Sequence, residues 1–508
     1  MQEGERWESK IRTGTGATLT SILKRLPSIW GDRRKARRLA ASLPEYEGTL
    51  DLPDADTMYG WIEGICGTPH RRPGTPEGHR AERWVAEKFH EFGLPDVSME
   101  PVPMTVWNAE RWSLTAGGAA IPSFYVPNTG FTAAGGVKAP LVYVGTGKEA
   151  NFARVEVAGK IVVADVTFPR MPTGILMRLM RACYALCDPD HSVALLASQY
   201  LNFARQNFIG GSTAETAPAQ DVYWQAFRRG ARGICLVLRD QPSNSNTHYG
   251  PYDGIMKPMP GLWIGKRDGV RMRELALAGA EATMVLEGSS GPGVMHNVWA
   301  VLPGLSDEAI LVTSHHDSPF KGAVEDGAGV AQVLAQARAW SRIPRERRPK
   351  TLVFVVDAGH FYGSLGAHAF ARAHKDLMAR AKILFTLEHL AAKEVRESGE
   401  GYAETGRLAL TVMFTTPDLG VIATVRKALE RRRPAGVTAS IPADFFGPAP
   451  TSDAAGYVLE AGVPVVSWIG CPYYLLDQHD TLDKVDKAAL VPIAGTVAEM
   501  IGIRMAMT

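Results

Sequence analysis

Cysteine is scarce in this chain of 508 residues. There are five, Cys66, Cys183, Cys187, Cys235 and Cys471, and none forms a CxxC pair. That excludes a structural zinc ribbon and a disulfide scaffold, and it fits a reducing compartment. An excess of one charge is also lacking. The 55 Lys and Arg nearly balance the 53 Asp and Glu, which argues against a dedicated nucleic-acid binder. No run reaches the ~20 apolar residues that a membrane helix needs, so no transmembrane segment is expected. Residues 1–30 lack the continuous apolar stretch of a secretory signal, and the cytoplasm is the expected location. A GxSxG elbow, a GxGxxG fingerprint and a Walker loop are absent too, which leaves no rival signature for the chemistry described below.

What is present is too long for one core, because cores stop growing near ~250–300 residues. Residues 1–50 read as a basic extension. The first 38 carry ten Lys and Arg against four Asp and Glu, densest in "DRRKARRLA", and a solvated arm is the plain reading. "TPEGHRAERWVAEKFHEFGL" (75–94) predicts a helix, with Thr75 as cap, Pro76 at the first position and Ala81, Val85, Phe89 and Phe92 on one face. From 111 to 290 short β-rich runs alternate with turns. Within them, 171–208 reads as two apolar helices, suited to packing, a homo-oligomer surface or a lid. From 291 to 508 the pattern is strand, loop, helix, repeated, and residues 51–110 supply the first part of the same domain. "KTLVFVVDAG" (350–359) and "AKILFTLEHL" (381–390) are continuous apolar runs, as in strands buried on both faces. This alternation implies an α/β fold with a mainly parallel sheet flanked by helices.

Ligands of such sheets bind outside the carboxyl ends of the strands. The polar clusters of this chain stand there: His315 and Asp317, His360, and Glu388 with His389. Imidazoles and carboxylates suit zinc and similar divalent ions. A bound ion would activate water without a serine or cysteine nucleophile.

"HHDSPFKGAVEDGAGVAQVLAQAR" resembles the H-x-D … G-A-x-D-D-x-x-G segment of the zinc exopeptidases. That family includes aminopeptidases with a PA domain, glutamate carboxypeptidase and glutaminyl cyclase. Other segments match in order. "GKIVVADV … RGARGICLVL … LWIGKRDGVRMRELALAGAEATMVLEG" is similar to the inserted PA domain, and "TSDAAGYVLEAGVPVVSW" to the late S-D-H-x-x-F … G-I-P segment without its His. The resemblance implies a zinc-exopeptidase-like α/β fold with a PA-like insertion over 111–290.

It also implies a site, and this sequence departs from it. In the family, two metals share a bridging Asp, and an E-E-x-G turn supplies the general base and a ligand. By position, His315 fills the first ligand slot and Asp317 the Asp that orients ligands from behind. Glu325 stands for the bridging Asp and Glu388 for the later Asp. The E-E-x-G turn aligns with "HFYG" (360–363), which puts His360 in the base position and Phe361 in a ligand position. The late His aligns with Leu476. The ligands unique to one metal are therefore lost together. The resemblance thus implies one divalent ion, zinc first with manganese or iron as alternatives, held by His315, Glu325 and Glu388, with His360 as base or ligand. Asp326, His316, His389 and His479 are further candidates for ligands or supporting residues. The expected activity is hydrolysis of an amide-type bond in a peptide or small molecule. A binding protein without catalysis, and a metal-assisted cyclase or acyl transferase, are the alternatives.

Overall fold

The computed structural model describes residues 19–507 except 47, 49, 168, 169, 172, 173, 175, 176, 178–180, 196–198, 201–220, 242, 252 and 400. Three helices come first: α1 (Leu19–Ser42), α2 (Ala55–Ile65) and α3 (Pro76–Glu91). The start of α3 is the one its sequence predicts. The Thr75 side chain accepts from the Gly78 N–H, and Val85 and Phe89 are fully buried.

The inserted half begins with β1 (Ser98–Ala116), followed by β2 (Ser123–Tyr125), β3 (Val137–Tyr143), β4 (Ile161–Val166), β5 (Ala185–Cys187), β6 (Gly233–Leu238) and β7 (Gly261–Ile264). Strand β8 (Glu281–Leu302) leads back to the carboxy-terminal half. There β9 (Ala309–His315), α4 (Ala328–Ser341), β10 (Thr351–Asp357), α5 (Leu365–Ala373) and β11 (Ala381–Glu388) alternate. They are followed by β12 (Thr411–Thr415), α6 (Leu419–Arg432), β13 (Thr438–Pro442), α7 (Ala454–Ala461), β14 (Val465–Gly470) and α8 (Lys487–Ala506). One sheet runs β2-β7-β6-β4-β3-β8-β10-β9-β11-β14-β12-β13-β5. It is mixed. Strands β10, β9, β11 and β14 are mutually parallel, and β8 and β12 flank them antiparallel.

Strands β9 and β11 lie between two apolar layers, which is why they read as unbroken hydrophobic runs. Ile310 and Val312 face one layer with Val333 and Leu334 of α4 and Ile493 and Val497 of α8. Ala309 and Leu311 face the other with Phe370 of α5, Ile422 of α6 and Ala36 of α1. The two-residue period of a strand sorts neighbours to opposite faces. Helix α8 is long and apolar enough to cross a membrane by length and composition. However, 78% of its apolar window is buried inside the fold, as in a core helix.

Two local expectations differ from the structure. The boundaries near 110 and 290 fall inside β1 and β8, which pair from Ser98↔Trp299 to Ala116↔Ala282 with one register shift between Ala109 and Arg111. Two helices were expected across 171–208. Gly174 and Met177 are helical there, but further along the described residues form β5, which pairs with β13 at the sheet edge, and a short 3-10 turn at Val193–Leu195. Pro189 follows β5 within two residues and cannot sit in a helix interior. The rest of the expected helices, including 201–208, lies outside the described residues, as does the first part of the basic extension, 1–18.

The loop between β9 and α4 is tied down by a residue that the sequence reading did not single out. Arg71 is fully buried. Its guanidinium donates to the carbonyls of His316 (2.7 Å), Gly322 (3.0 Å), Glu325 (3.4 Å) and Lys321. Replacing Arg71 with leucine would leave these acceptors unpartnered. A loss of about 3 kcal/mol is expected, since bonds to charged groups are worth more than neutral ones. Urea unfolding measures it. A shift below about 0.5 kcal/mol would mean that the loop holds itself.

Candidate metal centre

Four side chains converge at the carboxyl ends of β9, β10 and β11: His315, Glu325, His360 and His389. All are buried, and one potential ligand atom of each lies within 4.8 Å of the others. The Nε2 atoms of His315 and His360 stand 3.7 and 3.4 Å from Glu325 Oε1, and His389 Nε2 stands 2.8 Å from Oε2. The rings of His315 and His360 stack at 4.0 Å.

Each ring is held from behind through Nδ1. His315 Nδ1 lies 3.1 Å from the Asp317 carbonyl, His360 Nδ1 2.9 Å from Asp453 Oδ1, and His389 Nδ1 3.0 Å from the Gly470 carbonyl. An Nδ1–H bonded in this way leaves the Nε2 lone pair free for a ligand, the usual arrangement behind metal-bound imidazoles. Asp317 has a second task. Its two oxygens accept from the backbone N–H groups of His360 (3.2 Å) and Phe361 (3.3 Å), which fixes the turn after β10. Glu325 is set by Asp480, whose oxygens accept from the N–H groups of Val324 (2.9 Å) and Glu325 (2.8 Å).

His389 reaches the centre because its backbone turns back with φ of 55° directly after β11. Its N–H donates to Asp326 Oδ1 at 2.8 Å. Gly470 lets the two segments approach, since a Cβ there would come within 2.5 Å of the His389 carbonyl oxygen. Asp326 itself is engaged by Ser314 Oγ and by the Gly329 N–H, which places it in support of the centre.

The other candidates are distributed differently. Glu388 turns to the neighbouring loop, where its Oε1 accepts from the Asp453 N–H at 3.0 Å. Burial first, and then the adjacent Asp453 carboxylate, push its carboxyl up to about 7. His316 points away, with Nε2 2.9 Å from the His296 carbonyl. His479 pairs with Asp477 at 2.6 Å, stacks edge-on with Tyr402, and stays outside the cluster. Phe361 is buried and meets Tyr249 edge-on at 5.6 Å. The Tyr249 N–H donates to the Leu476 carbonyl at 2.9 Å. A loop of the inserted half thus packs against both Phe361 and Leu476.

The donor set fits a divalent cation. His315 Nε2, Glu325 Oε1, His389 Nε2 and Glu388 Oε2 are buried without hydrogen-bond partners. The 2.8 Å approach of His389 to Glu325 lacks the direction of a hydrogen bond. Burial opposes charge on the three imidazoles, yet the carboxylates around them outweigh it. His315 is raised to about 10, His360 is raised, and His389 lies well above the ordinary range. Five buried carboxylates (Asp317, Glu325, Asp326, Glu388 and Asp453) face these rings. A divalent ion on imidazole nitrogen and carboxylate oxygen would balance this negative charge in place of protons on the rings.

Asp453 and Asp480 were not among the sequence candidates. The TSD segment of the resemblance held Asp453 in view, but only the fold shows its oxygen on His360. Asp480 is a plain loop aspartate in sequence.

Residues 297–501 match the model of Peptidase family M28. Among curated proteins none matches the sequence. Solved structures match over nearly the whole fold. A zinc aminopeptidase from Bacillus subtilis is 16% identical with a TM-score of 0.65, covering 89% of this chain and 95% of that one. A peptidase M28 precursor from Shewanella amazonensis is 20% identical with a TM-score of 0.63, covering 94% and 98%. An aminopeptidase from an Aneurinibacillus species is 21% identical with a TM-score of 0.60, covering 88% and 93%. At these identities the likeness is one of fold.

Proposed function

We propose, from the match of residues 297–501 to the model of Peptidase family M28, that this metal-dependent hydrolase cleaves an amide bond with a single resident ion. The observation that carries the proposal is the convergence of three imidazole Nε2 atoms and one carboxylate, with every Nδ1 held from behind. His315, Glu325, His360 and His389 would hold the ion, and zinc suits three nitrogens and one oxygen, with manganese or iron as alternatives. When bound, it supplies Lewis acidity and makes water acidic enough to act as nucleophile near neutral pH.

The chain's own residues do the rest. Both nitrogens of His360 are committed, Nδ1 toward Asp453 and Nε2 toward Glu325, which favours ligation over the base role. Glu388 is the better base. It is buried, its Oε2 has no partner, and its carboxyl is pushed up to about 7. A buried carboxylate with one unpartnered oxygen would take a proton from water and return it to the leaving nitrogen. Asp453 and Asp317 keep the rings and the 360–361 turn in register. Phe361, packed edge-on against Tyr249, supports the one-ion reading, since a phenyl ring cannot serve as ligand for a second ion at that place.

A reading as a binding protein is favoured by one observation: each of the four ligand side chains is at most 6% exposed. Metal content and turnover separate the two. Elemental mass spectrometry of the wild type and of His315→Ala is expected to show one ion fewer per chain in the variant, with hydrolysis of a peptide and acyl-amide panel lost. An ion lost in the variant, with no amide hydrolysed by the wild type, would favour the binding protein. Equal metal in both would refute the centre.

A third expectation concerns Asp453. Asp453→Asn keeps a hydrogen-bonding group beside His360 but removes the charge on Nδ1–H. Outer partners of metal-bound imidazoles are worth roughly 10–100-fold in metal affinity. Competition with a zinc chelator is expected to show a loss in that range, and no loss would mean that His360 is not a ligand.

A further inference from the structure

We propose that His79, Glu82 and His296 form a second, separate binding site for a divalent transition ion of the zinc class. His79 and Glu82 are three residues apart in the first two turns of α3 and share one face. His296 comes from β8, where it faces Pro101 of β1. The Nδ1 atoms of both histidines stand 2.8 Å from the same oxygen, Glu82 Oε2. The other oxygen accepts the backbone N–H of His296 at 3.0 Å, which fixes the plane of the carboxylate.

The burial of the three groups is graded. The Glu82 side chain is 1% exposed, while His79 and His296 are 28% and 24% exposed. A buried carboxylate therefore forms the floor, and two imidazoles form a mouth that an ion from solvent can enter. Two imidazoles and one carboxylate make up a known donor set of open zinc sites, in which solvent completes the coordination. The two nitrogens disfavour magnesium and calcium, which prefer oxygen alone. An independent observation lies behind the cluster. His316 donates from Nε2 to the His296 carbonyl at 2.9 Å, while its Nδ1 is buried without a hydrogen-bond partner.

The site is distinct from the centre at Glu325. His315 and His316 are consecutive, but one ring serves the catalytic centre and the other backs His296. An ion here would clamp α3 to β8, adding to the hydrogen bonds that Glu82 already makes with His296. The clamp would stand one residue away from a ligand of the catalytic centre.

The test uses the full-length protein, stripped with chelator, desalted and titrated with zinc. In His315→Ala, where the catalytic centre is disabled, one equivalent of zinc is expected to remain and to raise the melting temperature. Adding His79→Gln and His296→Gln should remove that equivalent and the thermal shift. Both residues are partly exposed, so the substitutions leave the core intact, and His79→Gln alone should weaken zinc binding at least tenfold. Magnesium at the same concentration should produce neither effect. If His315→Ala binds no zinc, or if the triple variant binds as much as His315→Ala, the cluster is a hydrogen-bonded group only and the proposal falls. The catalytic reading is judged separately, because His79→Gln/His296→Gln on the wild-type background should keep the ion that His315→Ala loses.

Discussion

Glu388→Gln is expected to lower kcat by roughly 10²- to 10⁴-fold, the range for removing a general base, while the resident ion stays bound. Gln keeps the size of the side chain and can still accept from the Asp453 N–H. It cannot take up a proton from water. KM should change little, since the substitution removes an interaction of the transition state and not of binding. The stability of the metal-free protein gives a control. A carboxyl raised to about 7 by burial binds its proton more tightly in the folded state than in the unfolded one. Its contribution is therefore most favourable at low pH and declines as pH rises from the unfolded value through 7. Gln does not ionise, so the metal-free variant should melt no lower than its parent at pH 8. If turnover and metal are lost together, Glu388 is a ligand after all. If turnover is kept, it has no part in the chemistry.

His389→Ala is expected to abolish turnover and to lower the metal content by one ion per chain. It removes one of four donors, and no other described imidazole stands ready to replace it: His316 bonds away from the centre and His479 lies with Asp477. It also leaves Glu325 Oε2 without its 2.8 Å neighbour. The variant should still fold, because the backbone N–H of residue 389 keeps its bond to Asp326. Circular dichroism and elemental analysis of the same sample check this. A folded variant with full metal and full rate would show that His389 merely fills space.

The fold was legible in the sequence because its signals are periodic. Thr75–Pro76 started a helix, and the apolar runs at 350–357 and 381–388 marked strands buried on both sides. The strand ends then located the cluster. The division of labour within the cluster was less legible, since it depends on single backbone angles. Glu388 and His389 are consecutive, and the positive φ of His389 decides which of them faces Glu325. Asp453 and Arg71 escaped notice for a related reason. One lies 93 residues from the ring it holds, the other 254 from the loop carbonyl of Glu325, and no local pattern encodes such pairings.

The two long antiparallel strands bear on how such a chain can be recombined. Apart from one register shift between Ala109 and Arg111, β1 and β8 stay paired from the carboxy-terminal half to the far end of the inserted half. A cut at 110 and 290 would sever both in mid-ribbon and expose unpaired backbone. Exchange with a homologue is expected to succeed only with junctions at the far tip, near Gly117 and Ala280, where the chain turns. Even then the graft must bring a residue that fits against Phe361 as Tyr249 does. The inserted half and the altered site are therefore joined through this contact, and an exchange of one without the other is expected to lose it.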